Sequence, residues 1–125
     1  MYYTDMNTLQ YIVINKDLKM SAGKAMAQVA HAVSLASKAK DLRAYRNAKQ
    51  RTVIVLEGTG VQIENLREYL NERNINSAYV IDEGVNEIPT MSITALATQQ
   101  LDVIDIENRK MLAGFTLYKH GIFQR

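Results

Sequence analysis

Lys24, Gln28 and His31 stand at spacings i, i+4 and i+7, so a helix carrying them aligns an ammonium, an amide and an imidazole along one face. Just ahead of them, Ser21-Ala22-Gly23-Lys24 has the ending of a phosphate-binding loop without its first glycine. The physical content of that fragment is narrower than the motif. A helix N-terminus after a glycine presents free N–H groups and a positive dipole end, and Lys24 adds a full charge. That combination makes an anion site. A plainer reading stands beside it: Gly23 as a loop residue, Lys24 as first-turn surface, and the polar stripe turned to water. His31, flanked by Ala30 and Ala32, suits a structural histidine as readily as a base.

Two further residues have types that suit a site. Asp82 follows an apolar run and precedes Glu83-Gly84, the place where loops gather over strand ends in α/β sheets. A turn-forming aspartate gives the same sequence. Thr94, inside another apolar run, is either a packed β-former or the donor of an orienting hydrogen bond, and periodicity leaves both open. Other chemistries are absent. Two histidines and no cysteine argue against a structural zinc site, and the chain has no HExxH pair and no GxSxG elbow.

Several elements must position these residues. Residues 9–14 read as a buried strand, followed by a polar loop from Asn15 to Gly23 and an alanine-rich helix from Lys24 to Lys40. In that helix Met26, Val29, Val33 and Ala36 share one face, with Lys24, Gln28, His31 and Lys38 opposite. Loop and helix end then carry Lys38, Lys40, Arg43, Arg46, Lys49 and Arg51. Residues 52–56 form a second strand. Thr59 and Gln62 fit a capping box, which opens a helix with Ile63, Leu66 and Leu70 as its stripe and its end near Asn74. Strands follow at residues 78–81 and 92–96, a short helix near 101–106, and an extended piece at 115–118. The pattern predicts an α/β fold: a small mixed β-sheet of about four strands flanked by helices, in three α/β/α layers, with residues 1–125 as one domain.

The 125 residues are 47% hydrophobic and 22% charged, an ordinary globular balance that argues against disorder. No apolar run approaches the roughly 20 residues of a membrane helix, and the first residues lack the look of a signal peptide. With no cysteine, a reducing, cytoplasmic setting is the expectation. The net charge of +2 is divided unevenly, +6 over residues 1–51 and −4 over residues 52–125. A basic half of this kind points to a polyanionic partner; a solvated basic helix face is the alternative.

The run Asp17-Leu18-Lys19-Met20, Gly23-Lys24 and Ala27-Gln28-Val29-Ala30-His31-Ala32 resembles the opening signature of the second peptidyl-tRNA hydrolase family, the type typical of archaea and eukaryotes. A strand near Val53, the Asp82-Glu83-Gly84 loop, Thr94 and Leu117-Tyr118 continue the resemblance across nearly the whole chain. It implies a mixed-sheet α/β fold, a homodimer, and hydrolysis of the ester joining a peptide or N-blocked amino acid to tRNA. Lys24, Asp82 and Thr94 fall on the family's catalytic positions; Lys19, Gln28 and His31 fall in its signature. Departures cluster around the same places. Asn86 stands where the family has a threonine, Ser21-Ala22 where it has Gly-Lys, Asn15 where it has an arginine, and Ala97-Thr98-Gln99-Gln100 where it is Gly-rich. All are expected at or near the site.

The implied chemistry needs neither metal nor cofactor. Asp82 orients or deprotonates a water, Lys24 stabilises the negative charge that develops, and Thr94 with Asn86 holds the carbonyl or the water in line. Lys38, Arg43 and Arg46 then bind the tRNA backbone. Two other readings compete: a tRNA-binding module with a decayed site, and a hydrolase of a different small ester or amide.

Overall fold

The computed structural model describes residues 7–82, 92–102, 110 and 112–119. Its centre is β1 (Asn7–Asn15), whose apolar run follows from burial on both faces. A 3-10 turn (Lys16–Leu18) leads to helix α1 (Ala22–Ala36), then α2 (Ala39–Asn47), β2 (Gln50–Gly58), α3 (Gly60–Glu72), β3 (Ser77–Asp82), β4 (Ser92–Thr98), β5 (Leu101–Asp102) and β6 (Thr116–Leu117). The strands form one six-stranded sheet in the order β3-β4-β1-β2-β6, with β5 also paired to β1. β1 and β2 run parallel, while the β1–β4, β3–β4 and β2–β6 pairs are antiparallel. The sheet is therefore mixed, as the sequence pattern requires. Among the described residues the sheet holds the four expected strands and two short additions: β6, inside the extended piece read at 115–118, and β5, in the stretch read as a short helix.

Alternate residues of the sheet feed two different cores. Tyr11, Val13, Leu56 and Leu96 pack with Ile63, Leu66 and Leu70 of α3. Ile12, Ile14, Ala95 and Ala97 pack with Ala25, Ala32 and Ala36 of α1. Both faces are covered by helix, which makes the three layers. Thr59 opens α3 with the expected capping box: its hydroxyl accepts from Gln62 N at 3.1 Å, and its own N–H donates to Gln62 Oε1 at 2.8 Å.

Three expectations change. The helix predicted to reach Lys40 ends at Ala36, and the basic stretch after it is a second helix, not a loop. Ser37 turns the chain at the break, with both its N–H and its hydroxyl donating to Val33 O. The buried face of α1 is also rotated toward Ala25, Gln28, Ala32 and Ala36, leaving Met26 65% exposed. Alanine on helix and sheet alike lets the two layers approach closely, which the longer Met26 would prevent. Finally, Leu101 and Asp102 lie in β5, since Leu101 fills the core beside Leu9; residues 103–106 of the predicted helix fall outside the described residues.

Candidate active site

Parallel pairing of β1 with β2, and the two antiparallel steps from β1 to β3, bring the carboxyl ends of all three strands to one edge of the sheet. The first residues of β4 and the N-termini of α1 and α3 join them there. Ligands of α/β sheets bind outside such an edge.

The floor of this edge is knitted by polar side chains. Asn15 is buried; its Nδ2 donates to Ile93 O at 2.9 Å and its Oδ1 accepts from Asp17 N at 3.0 Å. Asp17 Oδ2 in turn accepts from Gly60 N at 2.9 Å, so a carboxylate sits at the positive end of α3. Asn15, a departure from the family pattern, thus ties β1 to β4 and caps the turn leading to α1. Lys19 follows in the left-handed region at φ 50°, exposed, and Met20 is buried beneath α1. Ser21, another departure, is the N-cap of α1: its hydroxyl accepts from Lys24 N at 3.2 Å. The cap occupies one of the N–H groups expected to be open to an anion.

Lys24 lies in the first turn of α1, half-buried. One turn on, Gln28 is only 4% exposed, so the polar stripe does not simply face water. Its partner is Thr94, fully buried, whose hydroxyl lies 2.7 Å from Gln28 Oε1 and 3.2 Å from Val80 O. One hydroxyl proton serves one acceptor. The shorter contact takes it: the Thr94 hydroxyl donates to Gln28 Oε1, with Val80 O as the longer second acceptor.

Thr94 reaches α1 because of a β-bulge. Val80 pairs with Ala95 and Ile81 with Ile93, so Thr94 is the extra residue of β4. The bulge re-aims its side chain to the helix, which regular alternation does not do. Asp82 ends β3 opposite Ser92, placing its backbone at the same edge. Lys24, Gln28, Thr94 and the backbone of Asp82 are thus brought together. Asn86 lies outside the described residues.

The remaining candidates separate. His31 is exposed on α1, while Lys38, Arg43 and Arg46 are exposed beyond its far end. Gln99 and Gln100 are also remote. Gln99 Oε1 accepts from Asn76 N at 2.8 Å and Gln100 Nε2 donates to Gln10 Oε1 at 3.1 Å, at the edge opposite Lys24. That departure is not near the site; it fastens the turn between β4 and β5. Among the described residues no cluster of three or more His, Asp or Glu is placed to hold a metal, and no helix is long and apolar enough to cross a membrane. On the other flank of α1, an apolar cavity of about 250 Å³ opens between Ile14, Ala25, Met26, Val29, Val55 and Tyr118. Burial, and secondarily the Glu57 carboxylate, raises the Tyr118 phenol above its ordinary value. The Gln28–Thr94 pair is what sequence reasoning missed: a glutamine set among alanines was its faint signal.

Fold and edge together define an α/β/α protein in which three parallel strands end at one edge of a mixed sheet. A sequence profile of the family described as peptidyl-tRNA hydrolase PTH2 matches residues 8–110. The chain is 36% identical over 94 residues to a peptidyl-tRNA hydrolase of Thermococcus onnurineus, covering 70% of this chain and 80% of that one. It is 33% identical over 94 residues to the peptidyl-tRNA hydrolase of Thermococcus sibiricus, with the same shares. A probable peptidyl-tRNA hydrolase 2 of Dictyostelium discoideum is 32% identical over 94 residues, 70% of this chain and 45% of that one. The chain belongs to the peptidyl-tRNA hydrolase family, a family of ester hydrolases. Among solved structures, a protein of unknown function from Agrobacterium tumefaciens superposes with a TM-score of 0.61 at 12% identity, over 90% of this chain and 98% of that one, a likeness of fold alone.

Proposed function

We propose that this protein hydrolyses the ester between tRNA and a peptide or N-blocked amino acid, releasing free tRNA. The observation that carries the reading is the convergence, at one sheet edge, of the Lys24 turn, the Gln28–Thr94 pair and the end of β3 at Asp82. Water adds to the ester carbonyl; the acyl–oxygen bond breaks, giving the free carboxylic acid and a ribose hydroxyl that takes up the proton. Asp82 orients or deprotonates the water, and Lys24 stabilises the oxyanion or a nearby phosphate. Thr94, buried and bonded to Gln28, acts through that amide rather than on the carbonyl itself, and Asn86 holds the water or carbonyl in line. Exposed Lys38, Arg43 and Arg46 hold the RNA backbone, which makes affinity fall steeply with salt. Arg51, also exposed, has a structural task as well. Its guanidinium donates to Tyr45 O and Arg46 O, both at 2.6 Å, and so closes the end of α2. The homodimer implied by the family belongs to the same reading and is tested by sedimentation equilibrium.

Binding of tRNA without turnover is the second reading, favoured by the Ser21 cap on Lys24 N–H where the family has Gly-Lys. Release of tRNA from an N-blocked aminoacyl-tRNA, measured for the protein and for Asp82→Ala, separates the two. Release that is lost in the variant supports the hydrolase. Absence of release with tRNA still bound at low salt supports the binding module.

A further inference from the structure

Helix α1 holds two charged regions a fixed distance apart. Lys24 is in its first turn, at the strand-end edge of the sheet. Beyond its last residue come Lys38, then α2 with exposed Arg43 and Arg46, and exposed Lys49 just after it. Fifteen residues at about 1.5 Å each make α1 about 22 Å long. Neither end is loose. Met20 and the Ser21 cap fix the start, and Ser37 on Val33 O fixes the finish. Arg51, at the head of β2, clamps the last turn of α2 through Tyr45 O and Arg46 O. Between Lys24 and Lys38 the helix carries no Lys, Arg, Asp or Glu. No Asp or Glu occurs between Asp17 and Asp41, and exposed His31 lies two turns from Lys24 along the same stripe, pointing the way to Lys38.

We propose that α1 is a spacer that sets a minimum RNA length for full activity. With the ester at Lys24, a phosphate meets Arg43 or Arg46 only if the RNA runs about 22 Å further along the helix. A B-form strand advances by about 3.4 Å per nucleotide and an A-form RNA strand by less, so the second contact lies about seven or more nucleotides from the ester. An aminoacyl trinucleotide falls short of it, and an RNA hairpin with an acceptor-like stem reaches it. The proposal rests on the hydrolase reading and specifies which part of the RNA the enzyme holds.

The test compares kcat/KM for three N-acetyl-aminoacyl substrates: the CCA trinucleotide, a hairpin minihelix, and whole tRNA. The expected result is a rise of about tenfold or more from trinucleotide to minihelix, with little further gain for whole tRNA. In the double variant Arg43→Ala/Arg46→Ala, checked for folding by its thermal melt, most of that rise disappears. Raising the salt provides a second measurement: kcat/KM falls more steeply for the minihelix than for the trinucleotide in the parent protein, and by similar amounts in the variant. Equal kcat/KM for trinucleotide and minihelix overturns the spacer while leaving the hydrolase standing. So does a double variant that slows both substrates by one factor. Whole tRNA that is not hydrolysed at all removes the hydrolase reading and the spacer with it.

Discussion

The two faces of the sheet are packed by opposite means. Toward α3, large aliphatic side chains meet: Ile63, Leu66 and Leu70 from the helix, Val13, Leu56 and Leu96 from the strands. Toward α1, Ala25, Ala32 and Ala36 of the helix meet Ala95 and Ala97 beside Ile12 and Ile14 of the sheet, and the one large side chain fully covered on the helix itself is the amide of Gln28. An aliphatic face gains its stability from area removed from water, which is insensitive to orientation. A close alanine face gains little from area, but it fixes where polar groups sit. Stability and positioning are thus assigned to different sides of one sheet.

Leu70→Ala strikes the first face. It is fully buried, and truncation is expected to cost about 3 to 5 kcal/mol. Urea unfolding measures the loss, and tRNA release per folded molecule is expected to stay near the parent value. An equal collapse of activity in the folded fraction would erase the distinction between faces. Thr94→Val strikes the second. The shape is kept, but the Gln28 amide loses its buried partner, at a cost of about 1 to 3 kcal/mol. Here activity is expected to fall by more than stability explains, and Thr94→Ser, which restores the hydroxyl, is expected to recover part of it.

Gly58 tests the border where β2 ends. A Cβ there would lie 2.5 Å from the Phe115 ring, so Gly58→Ala is expected to destabilise by about 1 to 3 kcal/mol. Combining it with Phe115→Leu relieves the clash, and the two losses in urea midpoint are then less than additive. The smallest effect concerns pH. Tyr118 keeps its proton to a higher pH in the folded protein than its unfolded value of 10.0, because it is partly removed from water. Its contribution to stability is complete below that value and is lost as pH rises through the folded one. Unfolding free energy measured from pH 8 upward is therefore expected to decline, and to decline less in Tyr118→Phe.

The sheet and the α3 face were legible from sequence because long aliphatic residues carry their pattern openly. Val53 to Leu56, Ile63-Leu66-Leu70 and the Thr59–Gln62 box each match their elements. The α1 face was not, because alanine is nearly neutral to hydropathy and its packing shows only when two alanine surfaces meet. The second helix was hidden for a different reason: Arg43 and Arg46 gave the stretch the look of a charged loop. As for the site, Lys24, Gln28 and Asp82 stood out by type and by motif. The bond between Gln28 and Thr94 did not, since it joins residues 66 apart in sequence.

A strand keeps its two sides in order by odd and even counting, and the extra residue in β4 breaks that count once. Ile93 and Leu96, an odd interval apart, pack into the same aliphatic core, whereas neighbouring Thr94 and Ala95 both turn to α1. Removing one residue at this point would restore perfect parity. The strand would keep its ladder and its aliphatic side chains, and only the hydroxyl under Gln28 would be gone. The contact between Thr94 and Gln28 in the candidate site therefore depends on an irregularity of the strand as well as on the identity of a residue.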